Sequence, residues 1–391
     1  MTPAHGHTRR KTKSRTGGES SAPTLEEWDT MEPFGSFVVE GGNGEETVFK
    51  LGSTATVLPG TRKVGEALEL YQYWLVRILA IRGRNCGNSS PKKKNARTKA
   101  KPRVPEYWVK IKWYYSPKEV SCRIAGFKES HCDLYERISS DHFEIVSALT
   151  FNELVPIMKF REDDPDQQPI GKEDFFTRYF LRTSSKRCEI ESYSSKTSNS
   201  KSLGCICGDP YDLKDKSSLH IMYMCPRPQC RNFYHTECLL KCRHWTQMTH
   251  PLIRLSCSPD TDEFPVLSPC PSKRRKKKTE AEHFQSLSEA IAALDPPLPE
   301  PLLQLAAQPI VRGAALSKAG LGLAGNACAV VAARRMVYAA IQKGSSVPDG
   351  WESDLELELD AAVVEDRLPA LRLDDTDDAL VLMCPNCSGP I

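Results

Sequence analysis

Between Phe34 and about Tyr193 the chain is a series of short apolar runs in which hydrophobic and polar positions alternate. Residues 46–51 alternate one by one, residues 71–81 form a longer and mostly apolar run, and residues 107–115 alternate throughout. Successive side chains of a strand point to opposite faces. Val109, Ile111, Trp113 and Tyr115 therefore share one face, and Trp108, Lys110, Lys112 and Tyr114 share the other. Further strands are expected over 143–149, 154–160 and 175–181. Short strands separated by turn-rich loops predict a mainly β, barrel-like domain. Beyond residue 241 the pattern changes. Residues 283–294 and about 327–341 predict helices, a Pro-rich break over 296–301 follows the first, and the apolar run 379–383 predicts a strand.

Charge sharpens the division. The net charge of +3 hides basic crowding over 5–15, 92–103 and 273–278, and acidic crowding over 352–378. Residues 1–32, nearly free of apolar side chains until Leu25, predict a disordered basic tail, and 194–202 a Ser/Lys/Thr linker. The loop with Lys92, Lys93, Lys94, Arg97 and Lys99 has two readings of equal weight: a solvated or import-signal loop, or a contact with nucleosomal DNA phosphates. The six consecutive basic residues Lys273, Arg274, Arg275, Lys276, Lys277 and Lys278 fit a nuclear localisation signal. The acidic, Leu-spaced stretch 351–378 reads either as a surface for a basic partner or as a contact with the chain's own basic loops. The N-terminus has no apolar core for a signal peptide, and 319–333 is too short and too rich in Ala and Gly to span a bilayer. No membrane association is expected.

Eight residues carry the spacing of metal ligands: Cys205, Cys207, Cys225, Cys230, His235, Cys238, Cys384 and Cys387. Seven thiolates and one imidazole are enough for two tetrahedral Zn²⁺ shells with no position open for substrate, so both ions are expected to be structural. Close pairs matter because one tight turn aims both donors at one ion. The other cysteines show no pairing pattern, which favours a reducing compartment. Cys242, Cys257 and Cys270 are rival donors without C-x2-C spacing. Ligand order argues against a RING finger, because four cysteines precede the histidine and only four residues separate it from the fourth.

The segment from Cys205 to Cys238 resembles a plant homeodomain (PHD) finger. That resemblance implies a cross-brace in which Cys205, Cys207, His235 and Cys238 hold one zinc while Cys225, Cys230, Cys384 and Cys387 hold the other. Two departures stand out: the first pair has one intervening residue instead of two, and the last pair lies beyond a long insertion. Its pocket positions fall on Tyr211, Tyr223 and Phe233. Phe233 replaces the frequent Trp, so the finger either binds a tail or only braces its neighbour.

Four further pieces occur in a fixed order: Tyr73-Trp74-Leu-Val-Arg77-Ile78, Val109–Pro117, Ser140-Asp141-His142-Phe143-Glu144 and Phe175-Phe176-Thr-Arg178-Tyr179. Together they resemble a bromo-adjacent homology (BAH) domain, and the order is similar to that of BAH–PHD chromatin readers. The implied layout is a BAH domain over 33–193, a finger over 203–240, a partly helical and partly disordered insertion over 241–378, and a closing zinc knuckle over 379–391. The resemblance implies a methyl-lysine cage of Trp74, Trp113 and Tyr115, with Tyr73 as fallback, and peptide contacts at His142 and Glu144. Strand aromatics are ordinarily core, so the competing reading is that these rings only pack.

The implied function is a nuclear, non-catalytic reader of a methylated histone lysine, including the Polycomb-type repressive mark, acting in transcription regulation with other chromatin-complex subunits. A scaffold subunit without methyl-lysine reading and a RING-like ubiquitin ligase are the alternatives. No P-loop, H-E-x-x-H or dinucleotide turn occurs.

Overall fold

The computed structural model describes residues 22–40, 44–60, 68–84, 106–183, 188–193, 204–248, 250–261, 287–344, 346–355, 357–364, 368 and 380–391. Of the disordered tail expected over 1–32, residues 1–21 lie outside the described residues, as do the linker 194–202, the loop from Lys92 to Lys99, the run Lys273 to Lys278 and Cys270, whereas 22–32 are described and include the helix Leu25–Thr30. The chain divides into two units. The first takes Met1–Glu129, Leu134–Lys159 and Asp174–Ser192, and the second takes Ser130–Asp133, Phe160–Glu173 and Tyr193–Ile391.

The first unit is mainly β. Its strands are β1 (Glu32–Phe34), β2 (Ser36–Glu40), β3 (Glu46–Lys50), β4 (Thr54–Val57), β5 (Trp74–Arg84), β6 (Glu106–Tyr115), β7 (Ile138–Ser147), β8 (Phe151–Leu154), β9 (Met158–Lys159), β10 (Phe176–Thr177), β11 (Tyr179–Arg182) and β12 (Glu189–Ser192). One sheet runs β12-β11-β7-β6-β5-β4-β8, with β1 added on β5. The expected barrel does not close. Its path ends at β8 and β12, which pair only with β4 and β11 among the described residues. The core is covered instead by the β2–β3 hairpin, where Phe37 stacks on Phe49 at 5.0 Å and both meet Phe151 edge-on.

The alternation along β6 is realised as read. Val109, Ile111, Trp113 and Tyr115 are buried in the main core, while Lys110, Lys112 and Tyr114 are half-buried on the opposite face. Trp108, on that opposite face, is buried because the helix Leu25–Thr30 places Trp28 and Met31 against it. A capping box starts that helix: Thr24 Oγ1 accepts from Glu27 N–H, and Thr24 N–H donates to Glu27 Oε2. The same device, Ser116 with Glu119 and Pro117 in the first turn, starts the helix Pro117–Ser121 directly after β6.

Register explains where the later site residues point. Lys112 pairs with Phe143 and Tyr114 with Ser139, so Ser140, Asp141 and His142 of β7 stand opposite the single residue Trp113. Such an irregularity breaks the ladder and re-aims side chains. It turns this stretch of β7 toward the aromatic end of β6.

The second unit is built on a small sheet, order β14-β13-β16, from β13 (Met222–Met224), β14 (Phe233–His235) and β16 (Val311–Arg312). A two-stranded ribbon pairs β15 (Trp245–Gln247) with β17 (Leu380–Leu382). Its helices include Thr236–Lys241, Glu300–Ala307 and Ala327–Lys343, the last covering the span expected to be helical from its apolar pattern. Of the other expected helix, 287–294 is described, and 287–292 of it is helical. Among the described residues no helix is long and apolar enough to cross a membrane.

Candidate functional site

The first candidate site is the aromatic end of β5, β6 and β7. Trp74 opens β5 and is half-buried, and its ring meets that of Trp113 perpendicularly, with centroids 5.6 Å apart and an interplanar angle of 88°. Edge-to-face is the arrangement that aromatic quadrupoles favour. Trp113 Nε1–H donates to Glu144 Oε2 at 3.1 Å. The Tyr115 hydroxyl lies 2.6 Å from His142 Nδ1, and the two rings are nearly parallel. The expected residues Trp74, Trp113, Tyr115, His142 and Glu144 thus converge, and the register break at Trp113 is the local cause. Tyr73, the fallback, lies just before β5, where its N–H closes the turn Leu70–Gln72.

Burial sets the protonation of the Tyr115–His142 pair. It pushes the Tyr115 phenol up and pulls the His142 imidazole below its usual value, although Glu144 opposes the second effect. Both groups are neutral near pH 7, so one proton bridges the phenol oxygen and Nδ1, and the imidazole tautomer sets which of the two donates it. The backbone is fixed as well: buried Ser140 Oγ donates to Trp113 O at 2.8 Å, and Asp141 Oδ1 accepts both the N–H and the hydroxyl of Thr183.

Trp113 and Tyr115 are only 5% and 2% exposed, on the face that strand alternation turns inward. One contact of this region escaped the sequence reading: the guanidinium of Arg123 lies 4.6 Å from the Tyr115 ring centroid. Arg123 follows the helix Pro117–Ser121, and only that helix's return toward β6 brings it to the ring. No spacing in the sequence signals this.

The second candidate site is a pair of cysteine-rich clusters in the second unit. Donor atoms of Cys205, Cys207, His235 and Cys238 all lie within 4.8 Å of one another, as do those of Cys225, Cys384 and Cys387. Cys230 joins the latter group, with its Sγ 3.5 Å from Cys384 Sγ, and Cys225 Sγ is 3.4 Å from Cys387 Sγ. A disulfide is about 2.05 Å long. Thiolates around a tetrahedral Zn²⁺, with bonds of about 2.3 Å, stand roughly 3.8 Å apart. The contacts fit the second case, and no described cysteine is in a disulfide. Both groups could therefore hold a metal ion.

Local structure positions each donor. His235 ends β14 and Cys238 lies one turn into the helix that follows. Burial raises the Cys205 thiol, but hydrogen bonds from the His235 side chain and from the Cys207 and His235 backbones outweigh it and hold the thiol at about 6. The strand expected over 379–383 exists as β17, whose pairing with β15 delivers Cys384. The knuckle then closes through Ser388 N–H on Cys384 O and Cys384 N–H on Gly389 O, both at 2.8 Å. A side chain at Gly389 would meet Cys257 Sγ at 2.5 Å. Cys257, a rival donor, is buried beside the knuckle, and desolvation pushes its thiol up to about 11. Cys242, the other described rival, is exposed.

The expected pocket of Tyr211, Tyr223 and Phe233 does not form. Cross-strand partners share a face, so Tyr223 stands with its partners Tyr234 and Val311, while Phe233 stands on the other face with Met224 and Met222. Tyr234 is buried, its hydroxyl 3.6 Å from Cys230 Sγ. Tyr211 and Phe233 do converge, on Arg312, whose guanidinium carbon is 4.4 Å from the first ring centroid and 3.7 Å from the second.

No protein-family profile matches the chain, and no curated protein matches it in sequence. Among solved structures, it is similar to the yeast Rsc2 BAH domain at 11% sequence identity and a TM-score of 0.24, over 40% of this chain. The similarity spans 53% of that structure's length.

Proposed function

We propose that this protein is a non-catalytic chromatin reader in which Trp74, Trp113 and Tyr115 receive the methylated ammonium of a histone-tail lysine. The observation that carries the reading is the perpendicular Trp74–Trp113 pair beside Tyr115, with Glu144 and His142 bonded to the ring heteroatoms. A trimethylammonium donates no hydrogen bond, so only ring faces and shape select it, each ring contributing about 0.5–2 kcal/mol. The Glu144 carboxylate adds negative potential beside the rings. In this reading the domain is BAH-type and the cysteine module is a PHD-type finger. That finger holds two structural zinc ions, one on Cys205, Cys207, His235 and Cys238 and one on Cys225, Cys230, Cys384 and Cys387. Zinc there joins distant segments and supplies no reaction centre. The protein works in the nucleus in transcription regulation, alongside other chromatin-complex subunits, and its basic stretches meet DNA phosphates or the import machinery.

A second reading is favoured by the depth of Trp113 and Tyr115: the aromatic group is core, and the protein is a zinc-dependent scaffold. A histone-peptide array on the purified chain separates the two. The reader binds trimethyl-lysine peptides over their unmodified counterparts, and Trp74→Ala, at the half-buried wall, removes that preference while the chain stays folded. Equal retention of methylated and unmethylated peptides by the wild type would leave the scaffold.

A further inference from the structure

The main sheet of the first unit has a second face, turned away from the aromatic core. At the Trp108 end the helix Leu25–Thr30 covers it, and at the other end its side chains reach solvent. There Arg77 of β5, Lys112 of β6 and Phe143 of β7 stand in one row across three strands, because Arg77 pairs with Lys112 and Lys112 with Phe143. Lys110, two residues before Lys112, shares their face. Phe180 of β11 joins them through Ser139 of β7, its partner, which in turn pairs with Tyr114. Arg77 is exposed, Phe143 is 53% exposed, and Lys110, Lys112 and Phe180 are half-buried.

Two features set this face apart from an ordinary solvated one. Like charges directly opposite each other on neighbouring strands destabilise a sheet. Arg77 nevertheless faces Lys112, and among the described residues no carboxylate pairs with either of them or with Lys110. The neighbouring Arg182, by contrast, is neutralised by Glu191, with Nε 2.8 Å from Oε1. The second feature is that the cations interleave with rings. Lys110 Nζ lies 4.5 Å from the ring centroid of Phe143, and Lys112 Nζ and Arg182 Cζ lie 5.0 and 5.6 Å from that of Phe180. A polyanion relieves the repulsion, and only one that also carries flat apolar groups uses the rings. An acidic peptide or a lipid surface offers the charge alone, and a duplex keeps its base faces stacked on one another. A single strand offers phosphates and free bases together.

We propose that this outer face of β5, β6, β7 and β11 binds single-stranded nucleic acid. Arg77, Lys110 and Lys112 take backbone phosphates, and Phe143 and Phe180 stack bases, each base replacing the ammonium that rests on the ring. The face lies on the opposite side of the sheet from Trp113 and Tyr115. The proposal therefore goes beyond the reader assignment and does not depend on it.

The test uses the full chain and fluorescence anisotropy with a labelled oligouridine, a labelled oligothymidine and a duplex of the same length. At least one single strand is expected to bind more tightly than the duplex. Phe143→Ala should weaken that binding about tenfold, and Phe143→Tyr, which keeps a ring, should not. Lys112→Gln and Arg77→Gln should each flatten the slope of log K against log salt by about 0.7. The basic runs 92–103 and 273–278 attract any polyanion, but binding there is unmoved by Phe143→Ala. Thermal melting confirms that each variant is folded. If Phe143→Ala is not, Phe143→Leu is compared with Phe143→Tyr, and equal affinity of the two overturns the proposal. So does single-strand affinity unchanged in a folded Phe143→Ala, or a duplex or an acidic peptide of equal charge that binds as tightly as the single strands.

Discussion

Arg178 and Glu136 meet as a two-pronged ion pair, Nε to Oε1 and Nη2 to Oε2 each at 2.9 Å, and both side chains are no more than 1% exposed. The arginine belongs to the segment Phe175–Tyr179, and the pair lies inside the first unit, where neither charge has water to fall back on. Removing one partner strands the other in a dry interior, at a cost of about 3–5 kcal/mol. Arg178→Met is therefore expected to lower the urea midpoint by that equivalent. Glu136→Gln combined with Arg178→Met should cost distinctly less than the sum of the single changes. A midpoint for Arg178→Met within experimental error of wild type would refute the assignment.

The perpendicular contact of Trp74 with Trp113 predicts energetic coupling whatever ligand the rings accept. A double-mutant cycle on Trp74→Leu and Trp113→Leu, read by denaturant unfolding, should return an interaction of about 0.5–1.5 kcal/mol. Additive single effects would mean that the rings do not touch in solution.

His142 gives the first unit a pH dependence of definite sign. An unfolded imidazole titrates near its ordinary value of about 6.5, while burial holds the folded His142 lower. Above about pH 6.5 both states are neutral and the contribution is complete. Below it the unfolded state binds more protons, so stability is lost as pH falls through the folded value. Denaturation midpoints measured from pH 7.5 to 5 should decline in wild type and decline less in His142→Asn. Parallel curves would remove His142 as the cause.

The cysteine clusters separate ligands from bystanders. Cys384→Ser should lower the bound zinc from two ions per chain to one, whereas Cys257→Ser should keep two, because its buried thiol packs beside the knuckle. Chelation should abolish amide protection around β13, β14 and β17, since metal binding and folding form one equilibrium in such modules. Two ions retained in Cys384→Ser would count against the second shell.

What could be read from the chain before its structure divides along physical lines. Strand periodicity exposes its faces directly, so the buried side of β6 was legible at Val109, Ile111, Trp113 and Tyr115. The residues of both cysteine clusters were legible because close pairs declare themselves. Contacts between side chains that no periodicity or ligand spacing links were not. The Glu136–Arg178 pair, the Arg123 contact on Tyr115 and the seating of Arg312 join residues whose spacing carries no period. The same holds for barrel closure, which depends on whether β8 and β12 find partners. The pocket expected at Tyr211, Tyr223 and Phe233 failed for a simpler reason: strand alternation sends Tyr223 and Phe233 to opposite faces once their register is known.

Cys225 and Cys387 stand 3.4 Å apart although 162 positions separate them. Closing a loop costs entropy only as the logarithm of its length, so doubling this one would add about 0.6 kcal/mol. The clasp is accordingly almost indifferent to how much polypeptide passes between its jaws. Extra sequence spliced into that excursion, away from β16 and β17, should leave the grip intact.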